Sequence, residues 1–384
     1  MDTVELIYFN AGGGHRAAAQ ALQQVMTAQG SPWRVVMTNL TDVIDPQGLF
    51  QRLTGLQPED LYNKRLASGF TLGLGQELKL LQGGIRMAHG SLVQRLRTHW
   101  QLSAPDLVVS LIPNFNRALC QSLQQSLPGV PFVTVMTDMA DHPPHFWAEP
   151  DLPQHLVCGT AHAVQQALAA GCAPDRVHRV SGMVLRPAFY APAAGCRREA
   201  RLAAGLPAEA PTGLVLFGGH GSRAMLRVAE RLPDVPLILM CGRNASLAQA
   251  LRAQPARAAR RVLAFTPDVA AEMRLADFFI GKPGPGSISE AVHMGLPVIT
   301  TRNAWTLPQE RWNTEWVRAQ RVGVVHRSLR TVRAAVTEIL ARLPELQVNV
   351  SRIDNQALLE VPELLSRLLP ARADSKRLEA ASPA

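Results

Sequence analysis

The chain has 384 residues, 47% of them hydrophobic, which is too long for one ordinary core and fits two domains of about 150–200 residues. Its net charge of +9 points to an anionic partner, a phosphate-bearing substrate or an anionic membrane. No RNP-like aromatic motif, zinc-finger spacing or isolated basic helix is present, so the ordinary nucleic-acid modules are excluded.

Cys120, Cys158, Cys172, Cys196 and Cys241 contain no CxxC pair and read as free thiols of a reducing compartment. The first ten residues carry Asp2 and Glu5 and lack a basic stretch ahead of an apolar one, so no secretory signal is expected. No apolar run approaches the roughly 18–20 residues that span a bilayer. The expected location is cytoplasmic, with peripheral contact at the inner face of the cell membrane.

Residues 4–9 read as a short strand that runs into Gly12-Gly13-Gly14. Apolar positions 18, 21, 22, 25 and 26 then set a helix over 15–29, which Gly30 ends. The first N–H groups of such a helix are unpaired and attract anions. Gly12-x-Gly14-x-x-Ala17 also satisfies the dinucleotide pattern, but Met37-Thr38-Asn39 stands where that pattern needs an acid. His15 and Arg16 would also crowd a pyrophosphate there. A histidine at a helix N-terminus resists protonation, and a neutral imidazole facing a cleft accepts a proton from a hydroxyl. The plain alternative is a histidine that only caps the turn.

Residues 33–37 are a second strand. Residues 49–100 break the alternation with a long, mostly helical insertion. Arg52, Lys64, Arg65, Lys79, Arg86, Arg95 and Arg97 outnumber Glu59, Asp60 and Glu77 there, and leucines are interleaved. Two readings stand: a solvated helical pair capping the domain, or a peripheral contact whose apolar side chains enter a membrane while the cations meet headgroups. Strands over 106–112 and 131–137 follow, as in a doubly wound parallel sheet. Asp138, Asp141, His142 and His145 come next, and their non-helical spacing favours a structural or acceptor-lining role over a metal cluster.

Pro187 and Pro192 mark 186–194 as a linker, after which the cycle restarts. Strands are expected over 213–217, 237–241, 262–265 and 278–280, with Gly218-Gly219-His220-Gly221-Ser222 after the first. Residues 279–291 are the most informative stretch. Gly284 and Gly286 let the backbone approach a ligand, and the following helix offers N–H groups to a diphosphate. Lys282 would add a cation. Glu290 is spaced to accept hydrogen bonds from a ribose, yet Ser287-x-x-Glu290 also spells a capping box, and spacing leaves both open. After a strand over 297–301, Gln309, Glu310 and Asn313 suit sugar hydroxyls or form an ordinary polar loop. The Ala/Ser-rich 371–384 reads as a frayed tail.

Taken in order over roughly residues 8–320, these segments resemble the monogalactosyldiacylglycerol synthase branch of the GT-B glycosyltransferases and, more distantly, MurG. The carriers are Gly12-Gly13-Gly14-His15-Arg16, Glu59-Asp60-Leu61-Tyr62-Asn63, Thr137-Asp138 with His142-Pro143-Pro144-His145-Phe146-Trp147, Arg186-Pro187 with Phe189, Lys282 to Glu290, and Gln309-Glu310 with Asn313. The resemblance implies an α/β chain of two Rossmann-like doubly wound domains facing a cleft. Residues 1–185 would be acceptor- and membrane-facing, 186–354 would bind the UDP-sugar, and 355–384 would be a C-terminal helix and flexible tail.

It implies inverting transfer of a hexose, galactose or glucose, from a UDP-sugar to a lipid such as diacylglycerol, with His15 or Asp138 as base. Glu290 would take the ribose, and Gly284, Gly286 and Ser287 the diphosphate. Gly218, Gly219 and Ser222 form the other phosphate turn. The backbone at Phe265 would meet the uracil, and Gln309 and Glu310, with Asn313, the sugar. Gly13, Gly14, His142 and His145 would line the acceptor side. No metal, other cofactor, nucleic acid or obligate protein partner is expected. Two departures, the His142-Pro143-Pro144-His145 spacing and His220 in the phosphate turn, leave sugar and lipid open. The same fold also serves UDP-sugar epimerases or hydrolases and enzymes with polyprenyl-linked acceptors.

Overall fold

The computed structural model describes residues 1–10, 13–48, 74–193 and 195–369. Gly12, the segment 59–63 and the tail 371–384 lie outside the described residues.

The first half runs β1 (Asp2–Tyr8), α1 (Gly14–Ala28), β2 (Trp33–Asn39), α2 (Leu40–Ile44), α3 (Leu74–Met87), α4 (His89–Ser103), β3 (Leu107–Ser110), α5 (Asn116–Ser126), β4 (Phe132–Val135), β5 (Gln154–Cys158), α6 (Ala161–Ala169) and β6 (Val177–Arg179). Its six strands are parallel in the order β2-β1-β3-β4-β5-β6. β3 and β4 are wholly buried, as strands covered by helices on both faces must be.

The second half runs α7 (Arg197–Ala203), β7 (Gly213–Leu216), α8 (Ala224–Arg231), β8 (Leu237–Met240), α9 (Ala245–Ala253), β9 (Arg260–Leu263), α10 (Val269–Arg274), β10 (Phe278–Gly281), α11 (Pro285–His293), β11 (Val298–Thr301), α12 (Arg311–Ala319), β12 (Gly323–His326), α13 (Val332–Ala341), α14 (Leu343–Ser351) and α15 (Ala357–Leu368). Its strands are parallel in the order β12-β11-β10-β7-β8-β9. This is the two-sheet GT-B architecture. Among the described residues, no helix is long and apolar enough to cross a membrane.

Three features depart from the sequence reading. The strand expected over 262–265 starts two residues earlier, at Arg260, and Phe265 falls in the loop beyond it. β9 is an edge strand, so the Arg260 guanidinium can lie along the rim and bond the carbonyls of Val235 and Leu232. β5, β6 and β12 gave no usable signal, because each is short and carries a histidine. Finally, α15 packs on α1, and its Leu358, Val361, Leu364 and Leu365 complete the first half's core. The C-terminal segment thus straps the two halves together. Asn355 donates to the Met183 carbonyl, and Glu360 accepts from the Ser181 backbone N–H and hydroxyl.

Open parallel sheets bind ligands beyond the carboxyl ends of their strands, where the strand order reverses. Here those points lie between β1 and β3 in one sheet, and between β7 and β10 in the other.

Candidate active site

The first half brings its site residues to the β1/β3 reversal. Gly13 caps α1 with φ 79° and no side chain caps the helix, a left-handed conformation that suits glycine. His15 is therefore not a cap. Its Nδ1 lies 3.0 Å from Thr137 Oγ1, and its ring stands 6.1 Å from Trp147. Burial pushes its pKa down to about 4, against a hydrogen bond to the Leu111 carbonyl that raises it. The imidazole is neutral at pH 7.

Asp138 is buried, and its Oδ2 accepts from Trp147 Nε1 at 3.1 Å. Burial pushes its pKa up to about 7; the Trp147 bond and Lys282 oppose this, while Glu310 and Asp141 add to it. Lys282 and Glu310 belong to the other half, so the two halves share one gap. Asp141 accepts from the N–H groups of Phe146 (2.9 Å) and Trp147 (2.8 Å), which commits its carboxylate to shaping the loop. His142 and His145 stand exposed on that loop. Burial and the Arg311 guanidinium, across the gap, hold His142 below the usual histidine value.

In the second half, α11 starts at Pro285 behind a Gly284 cap, with no side-chain cap. Proline at the first position costs no hydrogen bond, since that N–H is unpaired in any helix. Ser287 thus lies inside the first turn, and the capping-box reading of Ser287 and Glu290 fails. Glu290 projects from the next turn and keeps 19% of its side-chain surface open, with Arg186 at 3.6 Å. Burial pushes its pKa up to about 7, against that cation. A Cβ on Gly286 would meet nothing within 4 Å, so the helix start faces open space.

Lys282 Nζ lies 2.7 Å from Glu310 Oε1, and its Cε lies within 3.7 Å of where Cβ atoms on Gly218 and Gly284 would stand. The lysine thus sits between the two glycine turns, already paired with the acid assigned to the sugar. Gly218 and Gly221 adopt φ of 80° and 63°, and Gly219 accepts from the Arg243 N–H at 3.0 Å. Ser222 Oγ accepts from the Ala224 N–H at the start of α8. Phe265 is 60% exposed, with the Arg243 guanidinium 5.3 Å over its ring. Gln309 is half-buried in the 3-10 turn that ends at Glu310.

Asn313 differs from expectation. It is fully buried, and its Nδ2 donates to the Pro283 carbonyl at 2.8 Å. Through that bond it braces the turn that leads into α11. Sequence reasoning assigned no role to Thr137, Trp147 or Arg311. All three lie inside quoted segments, which was the available signal.

A family model described as monogalactosyldiacylglycerol (MGDG) synthase matches residues 15–184. The chain is 26% identical over 371 residues to the chloroplastic monogalactosyldiacylglycerol synthase of Spinacia oleracea, covering 90% of this chain and 67% of that protein. It is 25% identical over 339 residues to monogalactosyldiacylglycerol synthase 1 of Arabidopsis thaliana, covering 82% of this chain and 60% of that one. The chain thus spans about two thirds or less of these relatives' length. Among solved structures it resembles Acinetobacter baumannii MurG (TM-score 0.59, 15% identity, 96% of this chain and 100% of that one). It equally resembles a Neisseria meningitidis UDP-GlcNAc 2-epimerase bound to UDP-GlcNAc (TM-score 0.59, 12% identity, 96% and 100%). At such identities the likeness is one of fold.

Proposed function

We propose that this monogalactosyldiacylglycerol synthase-like glycosyltransferase moves a hexose from a UDP-sugar to a lipid hydroxyl, with diacylglycerol as acceptor, by direct inverting displacement at a membrane surface. One observation carries the reading: Asp138 of the first half sits within the field of Lys282 and Glu310 of the second. A proton acceptor and a donor-binding turn therefore face the same gap. The open start of α11 receives the diphosphate, Glu290 the ribose, and Gln309 and Glu310 the sugar. The N–H groups of the helix start and Lys282 stabilise the departing UDP.

Asp138 is the better base of the two candidates. A base works best with a pKa near the working pH, which suits about 7 rather than about 4. The His15 ring is also engaged by Thr137 and the Leu111 carbonyl, so it supports the Asp138 segment.

The test is to offer a panel of UDP-sugars with and without diacylglycerol vesicles, reading UDP release and the mass of any new glycolipid. A glycolipid that forms only with both substrates is the expected result. UDP-sugar consumed equally without lipid would mean a hydrolase or epimerase instead.

A further inference from the structure

Arg186 stands in the linker between the two halves, after β6 and before α7. Its Nη1 donates to the Pro267 carbonyl at 3.1 Å, its Nη2 lies 3.6 Å from Glu290 Oε1, and its guanidinium covers the Phe189 ring at 5.1 Å. Pro267 lies two residues beyond Phe265 on the loop assigned to uracil, and Glu290 is the acid assigned to ribose. One linker cation therefore touches both elements of the nucleoside site, and Phe189, buried in the second half's core, anchors it.

We propose that Arg186 is a positioning residue for the nucleoside end of the donor, holding the Glu290 carboxylate and the 265–267 loop in the arrangement that receives ribose and uracil. This rests on the donor site assigned above. A carboxylate in this burial needs a cation to remain ionised, and Arg186 is the charged group acting on Glu290 among the described residues. His293, a turn further along α11, faces Tyr190. Glu345 of the packed α14 pairs with Arg342, and β10 and β11 carry no titratable side chain. An arginine fork serves two acceptors at once in a fixed planar geometry that a lysine ammonium does not reproduce.

The test is UDP titration by calorimetry, from pH 6 to 9, on wild type, R186K, R186Q, E290Q and R186Q/E290Q. R186Q should bind UDP about tenfold more weakly at pH 7, as expected for losing control of a charged hydrogen-bond acceptor. The deficit should shrink as pH rises and more Glu290 ionises. R186K, which keeps the charge and is the gentler change to the linker, should lose less and show less pH dependence. In the E290Q background, R186Q should cost clearly less than it does alone, the remainder being its hold on the 265–267 loop. Binding by R186Q within twofold of wild type at pH 7, or an undiminished loss in the E290Q background, overturns the proposal. Wild type that fails to bind UDP overturns the donor site itself.

Discussion

At the residue scale, environment rather than identity separates the two candidate bases. His15 and Asp138 were both visible in the sequence, but only burial and the charges around each decide their proton affinities. Asp138→Asn should lower kcat by about 10²–10⁴-fold while UDP affinity stays within twofold; His15→Gln should cost less. In wild type, kcat/KM should rise with pH through about 7 as Asp138 ionises, and D138N should lack that limb. The same substitution tests the electrostatics through stability. The raised pKa means that the stability Asp138 contributes is complete below the ordinary carboxylate value and lost as pH rises through about 7. D138N should therefore melt a few degrees above wild type at pH 8 and lose that advantage toward pH 4. An equal melting difference at both pH values would show that Asp138 is not held protonated. Glu290 teaches the complementary lesson: its spacing from Ser287 fitted a cap as well as a ligand, and the position of the helix start removed the cap.

At the element scale, Pro285 moves the start of α11 two residues ahead of Ser287, so the capping pattern falls where no cap is needed. Gly286 then occupies an exposed first-turn position with empty space before it. Gly286→Ala should leave the melting temperature unchanged or raised, because alanine is the better helix former by about 1 kcal/mol. UDP affinity should nonetheless fall at least tenfold, because the new methyl would stand in the proposed diphosphate site. A variant that binds UDP normally would move the phosphate site elsewhere. The insertion divides along similar lines. α4 buries Leu92, Leu96 and Trp100 in the first half's core, which supports the domain-capping reading for that helix. α3 instead exposes Leu81 in mid-helix and Arg86 and Met87 at its C-terminal end, while its Gln82 bonds Asn114 in the loop after β3.

At the scale of the whole molecule, the exposed Leu81, Arg86 and Met87 of α3 are a candidate membrane contact for the lipid-directed transfer proposed above. Arg86→Glu with Met87→Glu should reduce co-sedimentation with anionic vesicles and activity on vesicle-borne diacylglycerol, leaving UDP binding intact. Unchanged sedimentation would assign membrane contact to another surface. The sequence by itself determined the alternation of strand, glycine turn and helix, and with it two doubly wound sheets. It also placed His15, Gly286 and Glu290 on the helices that follow glycine turns, and Asp138 just beyond a strand, because apolar periodicity and glycine position are local properties. Only the tertiary structure decided that Asn313 bonds the Pro283 carbonyl, that Lys282 pairs with Glu310, that Arg186 reaches Glu290 from the linker, and that α15 returns to the first half. Each of these depends on contacts between residues far apart in the chain, and on burial, which sets both proton affinity and exposure and which no local pattern encodes.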